Sequence, residues 1–563
     1  MDIQRFFLIG LSAMIAYLLL IEWREFTDEN RTSENISPVL APSYSEDYSD
    51  PEILVQHPAK KTSFEELPEV INEPKEIKSL SSTKFSETIS VETDVLVLTI
   101  DLNGGDIIEA KLKKFPTSLE NLNQPFELLE KNDRRVYVAQ SGLTGKNGID
   151  TREGRAIFKA KFDEFILSPS ESELKIDLLW EDKNGISITK RFSLRKGDYL
   201  LDVEYLIENQ SDNPWETLFF AQIKRDSSPQ PTNDQGGMGL QPFLGAATTL
   251  PDKRFAKFTF DDIADEPLKM QSSEGWIAMV QHYFLSAWIP SVGQKHQYST
   301  RQTSSGFNIA GFTSPTTTVE PGQTASVGAK FYVGPKDQYR LEEIAPYLDL
   351  SVDYGWLWWI AQPLFWLLYK IHSFVGNWGF SIILLTILIK GAFFQLSATS
   401  FKSMANMRRV QPQMLSIREQ YPDDKQKQSQ AMMELYKKEK INPMGGCLPM
   451  LIQMPVFIAL YWVLMESVEL RHAPFALWIK DLSVMDPYFV LPLLMGASMW
   501  SMQKLNPPPP DPMQAKIMEW LPIVFTFFFL WFPAGLVLYW LVNNLLSMAQ
   551  QYVITKRIES AGS

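Results

Sequence analysis

Five long apolar runs in the C-terminal third constrain this chain more than any other feature. They cover residues 377–398, 446–468, 487–503, 515–531 and 534–555, with few charged side chains. A helix of about 20 apolar residues matches the hydrocarbon thickness of a bilayer. A helix also satisfies its own backbone hydrogen bonds in lipid. These runs therefore predict a membrane α-helical bundle.

A sixth apolar run stands at the N-terminus. Arg5 precedes an apolar stretch from Phe6 to Ile21, and no small residues follow that would mark a cleavage point. A cleaved signal peptide would need such residues. We therefore predict that residues 1–23 form an uncleaved transmembrane anchor, which brings the expected number of membrane-spanning helices to six. The alternative is a buried helix of a soluble domain.

The segment between the anchor and the five runs has two patterns. Residues 24–89 are rich in Ser, Glu, Pro, Asp and Lys without a hydrophobic period, which predicts a flexible linker. From about residue 90 the apolar residues recur at every second position, and turn sequences such as Asp182–Gly185 separate the runs. This alternation predicts an antiparallel meander within a large all-β sandwich over residues 90–345.

The distribution of basic residues predicts the orientation. Residues 400–445 contain nine Lys or Arg, whereas residues 469–487 contain only Arg471 and Lys480. Because cytoplasmic loops are enriched in Lys and Arg, we place both termini and the basic segment in the cytoplasm. The sandwich then lies in the periplasm. This count requires the tryptophan-rich segment 355–374 to be an interfacial helix rather than a span.

The composition argues against several classes of function. A net charge of −13 disfavours a nucleic-acid binder, so DNA is not an expected partner. Cys447 is the single cysteine, and the five histidines show no metal-ligand spacing. The sandwich sequence contains no nucleophile motif or phosphate loop. We therefore predict a protein that is not an enzyme, with no catalytic residue, metal site or cofactor.

Lys390 is the most informative single residue. It follows the apolar run Phe380–Ile389, roughly 18 Å into the predicted span at 1.5 Å per residue. A lysine at the centre of a span costs about 3 kcal/mol on insertion scales. A wet cavity around the charge would explain this position, and snorkelling of the side chain to the headgroups is the alternative. Thr386 shares its helix face, and Gln453 and Tyr539 are polar residues of other spans.

The surroundings of Lys390 separate three hypotheses. No other span supplies a mid-span carboxylate, which disfavours a proton-coupled transporter, and no internal repeat supports a transporter or channel fold. An unpaired positive charge could instead receive hydrophilic segments of another protein and ease their passage. We therefore predict an insertase and chaperone. A membrane-tethered carbohydrate enzyme remains a third hypothesis, which requires a carboxylate pair or His/Glu cleft in the sandwich.

Four motifs in the C-terminal region support the first hypothesis. They are Asn377–Ile383, Asn442–Pro449 with Gln453–Pro455, Phe475–Ile479 and Leu530–Trp540. The motifs closely resemble the YidC family of bacterial membrane protein insertases, which has mitochondrial and chloroplast relatives. The resemblance implies that residues 346–563 form a five-helix insertase domain with a cytoplasmic helical hairpin at 400–445. It also implies a periplasmic β-supersandwich similar to sugar-binding and mutarotase folds.

The resemblance further implies a groove that is open to the cytoplasm and lipid but closed to the periplasm. Lys390 occupies the position of a basic residue on the groove floor, commonly an arginine, so the charge is kept without the planar fork of donors. Trp540 stands where a family tyrosine often lines the groove, with Thr386 beside Lys390. The resemblance implies that Met454, Pro455 and Phe528 form the apolar surface that substrate helices contact.

The partners implied by the resemblance are nascent membrane proteins and the phospholipid bilayer. The family acts alone or with the Sec translocon, and contacts with the ribosome or signal recognition particle are also implied. The expected location is the bacterial inner membrane, with a multi-pass chain and both termini in the cytoplasm.

Overall fold

The computed structural model describes residues 68, 87–151, 153–229, 242–422, 424–439, 448–505 and 512–562. The predicted anchor at 1–23, nearly all of the predicted linker at 24–89, and Cys447 lie outside the described residues. A region of β-strands comes first along the described chain, and a region of helices follows it.

The β-region is built from strands whose apolar residues alternate. Its strands are β1 (Thr88–Glu92), β2 (Leu96–Asp101), β3 (Asp106–Pro116), β4 (Pro125–Lys131), β5 (Val136–Thr144), β6 (Lys159–Ala160), β7 (Glu164–Ile166), β8 (Glu173–Glu181), β9 (Ile186–Arg195), β10 (Leu200–Asn209), β11 (Trp215–Arg225), β12 (Gly245–Thr248), β13 (Ala256–Phe258), β14 (Lys269–Ser272), β15 (Ile277–Val280), β16 (Phe284–Pro290), β17 (His296–Gln302), β18 (Asn308–Val319) and β19 (Thr324–Pro335).

These strands form two large sheets. The ten-stranded sheet has the order β14-β17-β18-β11-β5-β4-β3-β2-β1-β7, and the nine-stranded sheet has the order β13-β12-β15-β16-β19-β10-β9-β8-β6. The pairings are antiparallel except for β1 with β7. The predicted meander is confirmed, because β8, β9 and β10 pair consecutively in the second sheet. Gly185 has a φ of +91° in the turn between β8 and β9, a conformation that favours glycine.

The inner faces of the two sheets share one hydrophobic core. Strand β10 shows the arrangement, since Leu201, Val203, Tyr205 and Ile207 are buried while the residues between them are partly exposed. A period of two places alternate side chains on opposite faces of a strand. The predicted all-β sandwich is therefore confirmed.

Ten α-helices are present in the described residues, two of them short and within the β-region or at its end. They are α1 (Phe260–Asp265), α2 (Gln338–Ile344), α3 (Trp358–Val375), α4 (Trp378–Ala392), α5 (Phe394–Gln420), α6 (Lys425–Lys438), α7 (Leu448–Glu466), α8 (Val490–Leu505), α9 (Pro512–Phe528) and α10 (Ala534–Gly562). Helix α3 overlaps the segment predicted to be interfacial, and α5 and α6 overlap residues 400–445, for which the sequence predicts a helical hairpin.

A sharp bend divides the segment predicted as the span 377–398. Helix α4 ends at Ala392, α5 begins at Phe394, and their axes meet at 67°. Within the described residues no single helix combines the length and apolarity of a complete membrane crossing, whereas α4 and α5 meet that criterion as a bent pair. Gly391 lies two residues before the bend, and glycine weakens a helix locally.

Charged and polar contacts join the sandwich to the C-terminal end of α7 and to the residues that follow it. Lys336, which follows β19, donates to Glu466 at 2.6 Å, and both side chains are buried. His282 Nε2 lies 2.8 Å from the carbonyl oxygen of Met465, and because a carbonyl only accepts, this nitrogen donates. Burial and the neighbouring Lys336 lower the pKa of His282 to about 3, so its ring is neutral. Arg471 donates to the carbonyls of Pro116 and Thr117.

Candidate functional site around Lys390

The ammonium group of Lys390 is enclosed by three helices. Its side chain extends from α4, and the residue is only 8% exposed. The amine Nζ donates to the Ser547 hydroxyl of α10 at 2.7 Å and to Oε1 of Gln453 on α7 at 3.4 Å. Both acceptors are neutral, and a hydrogen bond to a charged group is worth about 1.5–3 kcal/mol. The amine is therefore held among protein side chains rather than directed along the surface of α4.

Lys390 lies in the last turn of α4. The sequence placed it near the middle of a continuous helix, but the bend at Phe393 ends α4 two residues after Lys390. The terminal carbonyl groups of a helix carry partial negative charge, which favours a cation in the last turn. The helix end therefore contributes to stabilising a charge that no carboxylate accompanies among the described residues.

Ser547 contacts Lys390 directly, although the sequence patterns did not single it out. Its hydroxyl accepts from Lys390 and donates to the carbonyl of Asn543, both at 2.7 Å. Asn544 Nδ2 donates to the Ser498 hydroxyl of α8 at 3.0 Å. Asn544 and Ser547 are three residues apart, which places them on one helix face. This polar stripe in an apolar helix was a usable signal.

Two of the predicted polar residues have different relations to Lys390. Gln453 is half-buried and contacts the amine directly. The hydroxyl of Thr386 is buried and donates to the carbonyl of Ile382 at 2.7 Å within its own helix. Thr386 thus satisfies its hydrogen bond locally and makes no hydrogen bond to Lys390.

Tyr539 and Trp540 lie about two helix turns before Ser547 on α10, and both contact α7. The ring centroids of Phe457 and Trp540 are 4.5 Å apart in an edge-to-face arrangement, and those of Phe457 and Tyr539 are 6.1 Å apart. Tyr539 is buried, while Trp540 is half-buried. These aromatic contacts join the two helices that supply the acceptors for Lys390.

The predicted apolar contact residues occupy two helices. Met454 and Pro455 follow Gln453 on α7, and both are half-buried. Phe528 is half-buried at the end of α9, where its ring centroid lies 4.8 Å from that of Phe532. These three residues retain surface that another apolar chain can contact.

The buried charges of the sandwich form a closed cluster. Arg155 binds both oxygens of Asp106 through its terminal nitrogens at 3.0 Å, and its Nε donates to Asp150 at 2.7 Å. Lys190 Nζ donates to the carbonyls of Gly104 and Ser141. Burial, reinforced by Arg155, lowers the pKa of Lys190 to about 7. One guanidinium thus engages the carboxylates of both Asp106 and Asp150.

The histidines and acidic residues in the described segments form no metal site. No group of three or more His, Cys, Asp or Glu side chains within these segments has the arrangement of a metal centre. His296 lies in the sandwich, where Nε2 is 2.9 Å from the Ser291 carbonyl and Nδ1 is 3.1 Å from the Ser314 hydroxyl. Burial lowers the pKa of His296, which favours the neutral ring.

Two family models together match nearly the whole described chain. Residues 88–367 match the YidC periplasmic domain, and residues 370–561 match the 60Kd inner membrane protein family. The boundary between the two matches falls within α3, close to the point where the β-region gives way to helices.

Full-length relatives are similar over the entire chain. A membrane protein insertase YidC of Hahella chejuensis is 52% identical over 100% of this chain and 99% of its own. The insertase of Cellvibrio japonicus is 49% identical over 100% of both chains. A solved structure described as an active YidC insertase, with its first transmembrane domain resolved, has a TM-score of 0.38 and 18% identity. It covers 84% of this chain and 93% of that chain.

Proposed function

Because the chain belongs to the YidC family of membrane protein insertases, we propose that it inserts client proteins through the polar site around Lys390. It is a membrane protein insertase of the inner membrane, with a large periplasmic domain, and it is not an enzyme. The single observation that supports the site is the enclosed ammonium of Lys390, bound by Ser547 and Gln453 without a carboxylate partner among the described residues.

The proposed mechanism is solvation of polar segments inside the membrane. An ammonium group attracts the carboxylates of an incoming client segment, which is most costly to desolvate when it is charged. Neutral partners leave the charge of Lys390 unneutralised, so the attraction is available to the client. Met454, Pro455 and Phe528 would contact the apolar part of the same client, and Tyr539 and Trp540 would line the client path beside them.

We further propose a multi-pass topology with both termini in the cytoplasm. The basic helical hairpin of α5 and α6 would then face the cytoplasm, where it could contact anionic lipid, the ribosome or signal recognition particle. The exposed side chains of Trp358, Trp359 and Trp366 support an interfacial position for α3, since amphipathic indole rings favour the headgroup region. We also propose that the protein acts both alone and with the Sec translocon.

The role of the Lys390 charge can be tested by measuring the insertion of client proteins into proteoliposomes that contain the purified protein. We expect Lys390→Ala to reduce insertion of clients with acidic translocated segments at least tenfold, because it removes the positive charge that attracts them. Lys390→Arg should retain most activity, since it preserves the charge. Lys183→Ala, in the exposed turn between β8 and β9, is the matched control, because it removes a lysine charge outside the helical region.

Crosslinking tests the apolar contacts independently. A photoreactive residue at position 454 or 528 should crosslink to a nascent membrane protein, whereas one at the exposed position 292 of the sandwich should not. Full insertion activity of Lys390→Ala toward acidic clients would contradict the proposed role of the charge. Absence of crosslinks from 454 and 528 would contradict the proposed client path.

A further inference from the structure

We propose that Ser547 is a positioning residue that holds the Lys390 ammonium in the site, and thereby sets the preference for clients whose translocated segment contains carboxylates. The inference rests on the proposed function, because it concerns the same amine. It adds a residue that determines client specificity by holding this amine in place.

The hydroxyl of Ser547 is oriented to accept from the amine. A hydroxyl group has one proton to donate, and Ser547 donates it to the carbonyl of Asn543 at 2.7 Å. Its oxygen lone pairs remain for Lys390 Nζ, also at 2.7 Å. Gln453 accepts from the same amine at the longer distance of 3.4 Å. Ser547 therefore makes the stronger of the two contacts.

Contacts on both sides of Ser547 fix the helix that presents it. Three residues before, Asn544 donates to Ser498 of α8 at 3.0 Å, and four residues after, Gln551 donates to the Leu505 carbonyl at 3.3 Å. These residues share one face of α10. Because both flanking turns are bound to α8, the hydroxyl is held at a defined place relative to that helix.

The donor capacity of the amine explains why the site favours carboxylates. An ammonium group has three N–H donors, and the two acceptors that Lys390 contacts are both neutral. One donor and the full charge remain for a client carboxylate. Without Ser547 the long lysine stem can carry the ammonium toward the headgroups. The charge would then be displaced from the client path without being removed.

A series of clients with zero, one and two Asp residues in the translocated segment tests the proposal. In proteoliposomes, Ser547→Ala should reduce insertion of the two-Asp client about tenfold, as expected for loss of a charge-assisted hydrogen bond. Insertion of the Asp-free client should change less than twofold. Ser547→Thr should restore the preference, because threonine keeps the hydroxyl and can also donate to the preceding turn.

Ser501→Ala is the matched control, because the Ser501 hydroxyl donates to Ala497 of its own helix α8. It should behave as the unaltered protein. Equal loss for all three clients with Ser547→Ala would indicate a purely structural role and overturn the inference. If Ser547→Ala has no effect while Lys390→Ala does, the inference fails and the proposed function stands. If Lys390→Ala also has no effect, the proposed function fails.

Discussion

Two buried lysines, one in each region of the protein, have opposite surroundings. Lys190 in the sandwich donates to the backbone carbonyls of Gly104 and Ser141 at 3.0 and 3.2 Å, beside Asp106 and the other charges of its cluster. Within the described part of the chain, Lys390 donates to side chains of two different helices. The lysine amine is thus bound by backbone carbonyls in the sandwich and by side chains among the helices.

This difference indicates which cation can exchange partners. The backbone carbonyls of paired strands are fixed by the sheet, and the nearby carboxylates balance the charges of Lys190 and Arg155. The acceptors of Lys390 are neutral side chains, and no carboxylate in the described residues competes with a client for the amine. The sandwich cluster therefore stabilises the fold, whereas the helical site is suited to transient binding.

The largest expected effect concerns Arg155 in the sandwich. Arg155→Met leaves the carboxylates of Asp106 and Asp150 buried without their partner, which should lower the free energy of unfolding of the sandwich by about 3–5 kcal/mol. Urea unfolding measures this change. The matched control is Arg191→Met, whose exposed pair with Asp177 at 2.7 Å should contribute less than about 1 kcal/mol. If both substitutions lowered the free energy of unfolding equally, the cluster around Arg155 would not be a special source of stability. The contrast with the site around Lys390 would then fail.

A second prediction concerns the contact between the sandwich and α7, where Lys336 has Glu466 as its carboxylate partner. Lys336→Met leaves Glu466 buried and unpaired, so we expect a loss of about 3 kcal/mol in unfolding free energy. The double variant Lys336→Met with Glu466→Leu should recover most of this loss, because neither charge then remains buried. Thermal and urea unfolding of the three proteins provide the measurement. A double variant no more stable than Lys336→Met would contradict an ion-pair role.

The third prediction is a pH dependence caused by Lys190. Its pKa is about 7 in the folded protein and 10.5 when unfolded, so between these values the unfolded chain binds more protons. Stability should therefore rise with pH across this window. Lys190→Met should lack this contribution, and the difference in unfolding free energy between the two proteins should change by about 2 kcal/mol from pH 7 to pH 9. If the difference in unfolding free energy between the two proteins did not change with pH, the lowered pKa of Lys190 would be contradicted.

The smallest expected effect concerns Gln453. Its contact with Lys390 is longer than that of Ser547, so Gln453→Leu should reduce insertion of acidic clients only about twofold. Gln426→Leu, on the exposed surface of α6, is the control. A loss with Gln453→Leu as large as that with Ser547→Ala would show that the two acceptors contribute equally.

The sequence predicted those features that depend on local periodicity. The alternation of Leu174, Ile176, Leu178 and Trp180 predicted strand β8 and its meander, because burial of one sheet face imposes a period of two. The tryptophan-rich segment likewise predicted the helix now described as α3. Both features depend on residues that are close together in the sequence, so the sequence alone was sufficient to predict them.

The contacts of the site required the three-dimensional structure. Lys390 and Ser547 are 157 residues apart, and nothing in their local patterns indicates that α4 and α10 bring them together. The bend at Phe393 also moved Lys390 from the middle of a predicted span to the end of a helix. Gly391 was a local signal for that bend. The roles of Thr386, Met454 and Phe528 stay predictions, and the experiments above test them.

The contacts at the two ends of α7 have a mechanical consequence. Gln453 lies near the start of this helix and Glu466 is its last residue, so about 20 Å of helix separates them at 1.5 Å per residue. Pro455 lacks a backbone N–H, so one hydrogen bond is missing near Gln453, whereas the turns from Pro455 to Glu466 contain no further proline and are stiff along the helix axis. The ion pair of Lys336 with Glu466 and the contact of Lys390 with Gln453 are therefore made by the same helix. We expect an axial displacement of α7 at one contact to shift the other.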